Sequence, residues 1–189
     1  MIEVEIRGRL TDTAAEELGA FLEREGTLVE VQDREMILLR GYPGYAHDPN
    51  MRDMDIRLRN TNGKCEIMVK RKTSEHNVAR HEVSLPLGCP NLDLAKEVVK
   101  SLGYDQGIWM HRQKKVYQYR NIEWSIVTVP QGLSYYEAEQ EAEDASDVER
   151  IRACLTKEAG ALGLGSLNPE GMREFIYELD ATVNKEITW

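Results

Sequence analysis

The chain is poor in the residues that build disulfide-stapled or membrane-spanning proteins. Its 189 residues include three cysteines, Cys65, Cys89 and Cys154, which are too few and too far apart for a disulfide framework. No stretch approaches the roughly 18 consecutive apolar residues of a membrane helix, and the first residues lack the pattern of a secretory signal. These absences favour a cytoplasmic protein with reduced thiols and no membrane partner.

Basic residues are outnumbered, since 33 acidic and 24 basic residues give a formal charge of −9. An acidic surface repels long polyanions, so we expect no nucleic-acid partner. The charges are segregated, however. Residues 52–82 carry eight basic and five acidic residues, whereas residues 137–149 carry seven acidic and no basic residues. A short polyanion bound inside the protein with its cation is therefore compatible with the net charge.

The apolar periodicity predicts an α+β fold. Alternating apolar and polar residues predict seven or eight mostly antiparallel strands, with Asn62-Gly63 as the turn of the clearest hairpin. Residues 27–40 are predicted to form two short strands, 27–31 and 35–40. Helices are expected at roughly 13–25, 91–102, 146–159 and 169–184. No linker interrupts the chain, so we expect one domain over residues 1–189, with the strands within about 1–140.

Nearly every strand carries fixed charges on one face and apolar residues on the other. In residues 2–10, for example, Glu3, Glu5 and Arg7 alternate with aliphatic residues. Side chains at i and i+2 of a strand lie about 6.6 Å apart, so like charges form rows that repel unless an opposite charge, an ion or a ligand lies between them. The solvent side of an antiparallel sheet is one explanation. A barrel with its charged faces inward explains both faces, and could bind phosphate oxygens and a divalent cation.

The charged residues follow an order that is known from a protein family. The segment Glu3-Val4-Glu5-Ile6-Arg7 resembles the Glu-x-Glu-x-Lys signature of the CYTH family, with Arg in place of Lys. This family, also called triphosphate tunnel metalloenzymes, includes class IV adenylyl cyclases and thiamine triphosphatases. The other elements follow in family order: Arg57-x-Arg59, Lys70, Arg80-x-Glu82, Leu102-Gly103-Tyr104, Arg112-x-Lys114, Tyr117 and Glu137-x-Glu139.

The resemblance implies an eight-stranded antiparallel β-barrel that forms a tunnel with a charged interior and is covered by helices. In such a tunnel, Mg²⁺ or Mn²⁺ would be held by Glu3, Glu5, Glu137 and Glu139. Phosphate oxygens would be bound by Arg7, Arg57, Arg59, Lys70, Lys72, Arg80, Arg112 and Lys114. Catalytic roles would fall to Glu3, Glu5, Arg7 and Glu82, with Glu82 assisting a second cation or accepting a hydrogen bond from a cationic side chain.

Three departures from the family pattern bear on the chemistry. Arg7 is an obligate cation, whereas the Lys it replaces can lose its proton. Ser84 stands where a second carboxylate often follows Arg-x-Glu, and Val127 and Thr128 occupy a stretch that commonly holds an Asp. The number of bound cations is therefore left open.

Three functions follow from the resemblance. The first is divalent-metal-dependent hydrolysis of an inorganic or organic triphosphate. The second is a class IV-type adenylyl cyclase, and the third is a triphosphate-binding module without turnover. Bacterial cyclases of this family share a His-Phe pair several residues before the signature, where this sequence has only Met1-Ile2, so hydrolysis is favoured. The expected partner is a small-molecule triphosphate, and the oligomeric state is left open, with a homodimer as one option.

Overall fold

The computed structural model describes residues 2–73 and 79–189. The strands in these ranges are β1 (Ile2–Leu10), β2 (Thr27–Leu39), β3 (Met54–Thr61), β4 (Lys64–Lys72), β5 (Ala79–Pro86), β6 (Gln106–Tyr119), β7 (Ile122–Thr128), β8 (Ser134–Ala142) and β9 (Lys185–Thr188). The α-helices are α1 (Asp12–Glu25), α2 (Asp93–Ser101), α3 (Val148–Ala161) and α4 (Pro169–Thr182). Among the helices of the described ranges, none is both long and apolar enough to span a membrane.

Eight strands close into an antiparallel ring, as expected from the sequence. Their order is β2-β3-β4-β5-β1-β8-β7-β6, and β6 pairs with β2 to complete the ring. The short β9 is added at the beginning of β6. The ring is uneven within residues 2–73 and 79–189, where β2 and β6 pair along nearly their whole length and β1 and β5 pair through Ile2–Val4 and Ala79–His81.

The prediction of two short strands in residues 27–40 was wrong. The structure has one strand of 13 residues, with a register shift between Leu28 and Glu30. The polar residues Gln32 and Asp33 suggested a break in the strand. They stay extended because the 14-residue strand β6 offers them partners across the whole stretch. The β3–β4 hairpin turns at Asn62-Gly63 as predicted, with positive φ angles of 52° and 83°.

The helices cover the apolar outer face of the ring. Helices α1 and α3 pack on β1, β7 and β8 through a cluster that includes Val4, Leu22, Trp124 and Leu155. Each large side chain buried in this way stabilises the fold by about 1.5–3 kcal/mol. Helix α2 packs on β2, β3 and β4 around Leu58.

Helix α4 closes one end of the ring. It begins after Asn168, whose Oδ1 accepts a hydrogen bond from the Gly171 amide at 2.8 Å, and Pro169 occupies its first turn. Its residues Phe175 and Leu179 are buried against Tyr135 and other residues of one apolar cluster. The α3–α4 connection lies against β1, and an added Cβ at Gly8 would stand 2.0 Å from the Gly165 carbonyl oxygen. Only glycine fits at that close approach.

Candidate active site

The inward faces of the ring surround a cavity of about 220 Å³, called the central cavity below. Every site residue proposed from the sequence lines it, so the charged faces point inward rather than to solvent. They are Glu3, Glu5, Arg7, Arg57, Arg59, Lys70, Lys72, Arg80, Glu82, Arg112, Lys114, Glu137 and Glu139. The period of two along each strand directs these side chains to one face, and ring closure makes that face an interior.

Three carboxylates meet at one point of the central cavity. The pairing of β1 with β8 places Glu5 opposite Glu139, and Glu3 lies two residues earlier on β1. One carboxylate oxygen from each of Glu3, Glu5 and Glu139 lies within 4.8 Å of the other two. Burial, followed by the charges of Glu5 and Glu137, raises the pKa of Glu139 well above its usual value. Such crowding is unfavourable without a cation, and three oxygen ligands fit a hard divalent ion.

Glu137 is held by two cationic side chains, of which Arg7 also contacts Glu5. It accepts a hydrogen bond from Lys114 at 2.6 Å and forms an ion pair with Arg7 at 2.9 Å. Burial alone would raise the pKa of Glu137, but Lys114 and Arg7 hold it below its usual value. The pairing keeps both partners charged, since Glu137 in turn raises the pKa of Lys114 against the effect of burial. The role of Glu137 as a metal ligand stays a prediction.

Lys70 links the carboxylates of two strands. Its Nζ lies 3.0 Å from Glu3 Oε1 and 2.9 Å from Glu82 Oε2. Burial would raise the pKa of Glu82, but Lys70 and other neighbours lower it to about 2. Glu82 is therefore an ionised acceptor for cationic side chains, one of the two roles considered from the sequence, and is poorly suited to act as a base near neutral pH.

A second charged group surrounds Asp55, which was not among the residues proposed from the sequence. Its carboxylate accepts hydrogen bonds from Arg57 at 2.6 Å, Arg52 at 3.0 Å and Arg80 at 3.1 Å. Burial would raise the pKa of Asp55, but the three guanidinium groups hold it far below its usual value. The signal was available, because Asp55 shares its strand face with Arg57, two residues later.

Two further charged residues of the central cavity were also missed. Glu123 on β7 pairs across the sheet with Glu139, and burial raises its pKa. From the sequence, an acid was expected at Val127 or Thr128. The inward-facing acid of β7 is instead Glu123, four residues before Val127. Arg34 lies opposite Arg112 in the stretch of β2 that was predicted to be a break. Its pKa is lowered by burial and by Arg59.

Helix α4 contributes polar groups to the cavity end that it covers. Asn184, just beyond the helix, accepts a hydrogen bond from Arg112 at 2.8 Å, and its own amide donates to Asp180 at 2.6 Å. Ile176 and Leu179 line the same end of the central cavity. This end is therefore closed by the C-terminal part of the chain, an arrangement that strand periodicity does not reveal.

Comparison with known proteins establishes the fold. No protein-family model and no curated protein sequence matches the chain. Among solved structures, the protein PH1819 of Pyrococcus horikoshii OT3 superposes with a TM-score of 0.72 at 19% identity, covering 93% of this chain and 98% of that one. A provisionally assigned adenylate cyclase of Vibrio parahaemolyticus gives a TM-score of 0.67 at 16% identity, covering 87% and 90%.

A plant structure completes the comparison. The protein HpAC1 of Hippeastrum is described as a provisionally assigned adenylyl cyclase with a dominant triphosphatase activity. It gives a TM-score of 0.58 at 15% identity, covering 88% of this chain and 90% of that one. The chain thus has the fold of CYTH-type proteins, and the resemblance proposed from its sequence is confirmed at the level of the fold.

Proposed function

We propose that this protein hydrolyses an inorganic or organic triphosphate with the help of a divalent cation. The observation that carries the proposal is the meeting of Glu3, Glu5 and Glu139 in a cavity whose walls also present arginine and lysine side chains. A triphosphate is a short polyanion that is bound to a divalent cation. An interior with both kinds of charge suits it better than a purely basic groove would.

The cationic side chains would neutralise the phosphate oxygens. Phosphoryl transfer depends mainly on positioning and on stabilising negative charge, which arginine forks and lysine ammonium groups provide. Arg7 and Lys114 are paired with Glu137, so a bound phosphate would share these two cations with that carboxylate. Arg57 and Arg80 would bind another part of the triphosphate, beside Asp55.

The residues present fit Mg²⁺ or Mn²⁺, which prefer carboxylate oxygens and retain water ligands. Glu3, Glu5 and Glu139 would hold the cation, and Glu123, opposite Glu139 on the neighbouring strand β7, is a further acid of the same cavity. When bound, such a cation polarises a phosphoryl oxygen and lowers the pKa of a bound water. Lys70 would then orient Glu3, since its ammonium group also contacts Glu82. The free thiols of Cys65 and Cys89 suit the reducing, cytoplasmic location that forms part of this proposal.

Adenylyl cyclisation is the second candidate, because structures with this fold include provisionally assigned cyclases. Hydrolysis is favoured because the Hippeastrum protein is described as a dominant triphosphatase. A binding module without turnover is the third.

One assay separates the three candidates. The protein is incubated with Mg²⁺ or Mn²⁺ and, separately, with tripolyphosphate, ATP and thiamine triphosphate, and orthophosphate, pyrophosphate and cyclic AMP are measured. Release of orthophosphate without cyclic AMP supports hydrolysis. Pyrophosphate with cyclic AMP supports cyclisation. Binding of a triphosphate without any product would support the binding module and refute both enzymatic functions.

A further inference from the structure

Two cysteines that are far apart in the sequence lie together on the outer side of the ring. Cys65 lies near the start of β4, on the opposite face of that strand from Lys70, and is buried in the apolar cluster that α2 covers. Cys89 belongs to the segment between β5 and α2 and packs against the same cluster. Cys65 is 2% exposed, whereas Cys89 is half-buried, so one thiol is enclosed and the other is accessible.

Contacts on both sides of Cys89 hold it beside Cys65. Before Cys89, the Leu87 amide donates a hydrogen bond to the Cys65 carbonyl oxygen at 2.7 Å. After Cys89, the Pro90 carbonyl oxygen accepts a hydrogen bond from the Asn60 side-chain amide at 3.2 Å. Asn60 is the partner of Cys65 across the β3–β4 pair. The short segment that carries Cys89 is therefore tied at both ends to one cross-strand pair.

The two thiols are neighbours as a result, and they differ in reactivity. Burial, followed by a hydrogen bond with the Cys89 thiol, raises the pKa of the Cys65 thiol to about 11. Cys65 therefore keeps its proton near neutral pH, and the thiolate is the form that reacts with disulfides. Because Cys65 is enclosed, a reagent in solution meets Cys89 first.

Neighbouring thiols occur both in metal sites and in redox-active pairs. A structural zinc ion takes four ligands, mostly Cys and His. Within residues 2–73 and 79–189, the side chains of Glu3, Glu5 and Glu139 form the one group of three or more His, Cys, Asp or Glu residues close enough to share an ion. Because no third ligand joins the two thiols in these ranges, the pair is better suited to redox chemistry.

We propose that Cys65 and Cys89 form a reversible disulfide when the protein meets a low-molecular-weight disulfide such as glutathione disulfide. The Cys89 thiolate attacks one sulfur of that compound, which forms a mixed disulfide and releases one small thiolate. Cys65 then loses its proton and attacks the Cys89 sulfur, and the second small thiol leaves. The protein loses two hydrogen atoms, and the small disulfide is reduced to two thiols.

The disulfide would fasten the β5–α2 connection to β4. It closes a loop of about 25 residues, and a cross-link of this kind stabilises a protein by restricting its unfolded chain. In a reducing cytoplasm the pair stays reduced, and it closes as the pool of small thiols becomes oxidised. Neither cysteine lines the central cavity, so the inference does not depend on triphosphate binding.

The test incubates the protein with mixtures of reduced and oxidised glutathione. Mass spectrometry of the intact protein detects hydrogen atoms lost and glutathione added, and peptide mapping without reduction identifies the linked cysteines. Cys154 is exposed on α3, so Cys154→Ser is the matched control that keeps the pair. Cys89→Ser removes the accessible thiol, and Cys65→Ala removes the buried thiol without adding a polar group. Thermal unfolding of each protein is followed before and after oxidation.

We expect the wild type and Cys154→Ser to yield one linked pair of peptides, which carry Cys65 and Cys89 and which dithiothreitol separates. In the wild type, Cys154 should instead take up one glutathione. Oxidation should raise the Tm of both proteins by about 4–16 °C, and Cys89→Ser and Cys65→Ala should lack this gain.

Three results would overturn the inference. They are a lasting glutathione adduct on Cys89 in place of the linked peptides, a linkage through Cys154, and a Tm that oxidation does not raise. The mapping of the wild type and of Cys154→Ser decides the question even where Cys65→Ala is unstable, because both proteins keep the buried thiol.

Discussion

Removal of the Asp55 charge tests how much the arginine cluster, formed by Arg52, Arg57 and Arg80, depends on its shared carboxylate for stability. The Asp55 carboxylate is 7% exposed and lies within 3.1 Å of a nitrogen of Arg52, Arg57 and Arg80. Asp55→Asn keeps the size of the side chain but leaves three guanidinium groups close together without their shared anion. Breaking a buried ion pair by removing one partner costs about 3–5 kcal/mol. In a chain of this length each kcal/mol lowers Tm by about 2–4 °C, so Tm should fall by about 6–20 °C.

Asp53→Asn is the matched control, because it removes the same charge from an exposed side chain two residues away. Chemical denaturation of both variants at neutral pH gives the free energies of unfolding. Asp55→Asn should lose at least about 3 kcal/mol relative to Asp53→Asn. A difference below about 1 kcal/mol, the size of an exposed pair, would show that the cluster does not depend on Asp55.

The same carboxylate predicts a pH dependence. The pKa of Asp55 in the folded protein is far below its usual value, because the three guanidinium groups outweigh the effect of burial. The unfolded chain has an Asp pKa of about 3.9, so the stabilisation is complete above that pH and is lost as the pH falls towards the folded pKa. The free-energy gap between wild type and Asp55→Asn should therefore shrink on acidification below about pH 4. A constant gap from pH 7 to pH 3 would contradict this assignment.

Two further predictions concern packing and a buried phenol. Gly8→Ala would place a methyl group 2.0 Å from the Gly165 carbonyl oxygen and should destabilise the fold by about 1–3 kcal/mol or more, whereas Gly160→Ala, with no atom within 4 Å, should stabilise α3 by about 0.5–1 kcal/mol. Thermal unfolding of both variants checks the opposite signs, and equal effects would refute the close approach. Burial and the charge of Asp55 raise the pKa of Tyr42 to about 12, and its hydroxyl donates to the Met54 carbonyl oxygen. Because the unfolded chain loses this proton near pH 10, stability should fall between about pH 10 and 12, and Tyr42→Phe should flatten that slope in alkaline denaturation.

The sequence sufficed to predict which faces of the strands point inward, for a physical reason. Side chains alternate strictly along a strand, so once Arg57 is placed on the inner face, Arg59 follows. The turn at Asn62-Gly63 then sets the register of β4. Closure of the strands into a ring was inferred because rows of charged side chains on one face of each strand are explained by an enclosed interior. The structure has that closure.

Other features depend on contacts between distant parts of the chain. The placement of Asn184 against Arg112, and of α4 over the cavity end, follows from tertiary packing and leaves no periodic signal. The continuous strand β2 depends on its partner β6, which local polarity at Asp33 could not indicate. Glu123 was missed for a simpler reason, since the acid was sought near Val127 instead of along the whole inward face of β7.

The proposed metal site is tested by measuring the release of orthophosphate from triphosphates with and without a divalent cation. The assay compares the wild type with Glu139→Gln and Glu141→Gln. Glu139 belongs to the three carboxylates that meet in the central cavity, whereas Glu141 is exposed two residues later on β8. We expect that the wild type needs Mg²⁺ or Mn²⁺, that Glu139→Gln loses at least about 100-fold in rate and in metal affinity, and that Glu141→Gln stays within about twofold of the wild type. Turnover without a divalent cation, or equal rates for the two variants, would refute a metal site at these three carboxylates.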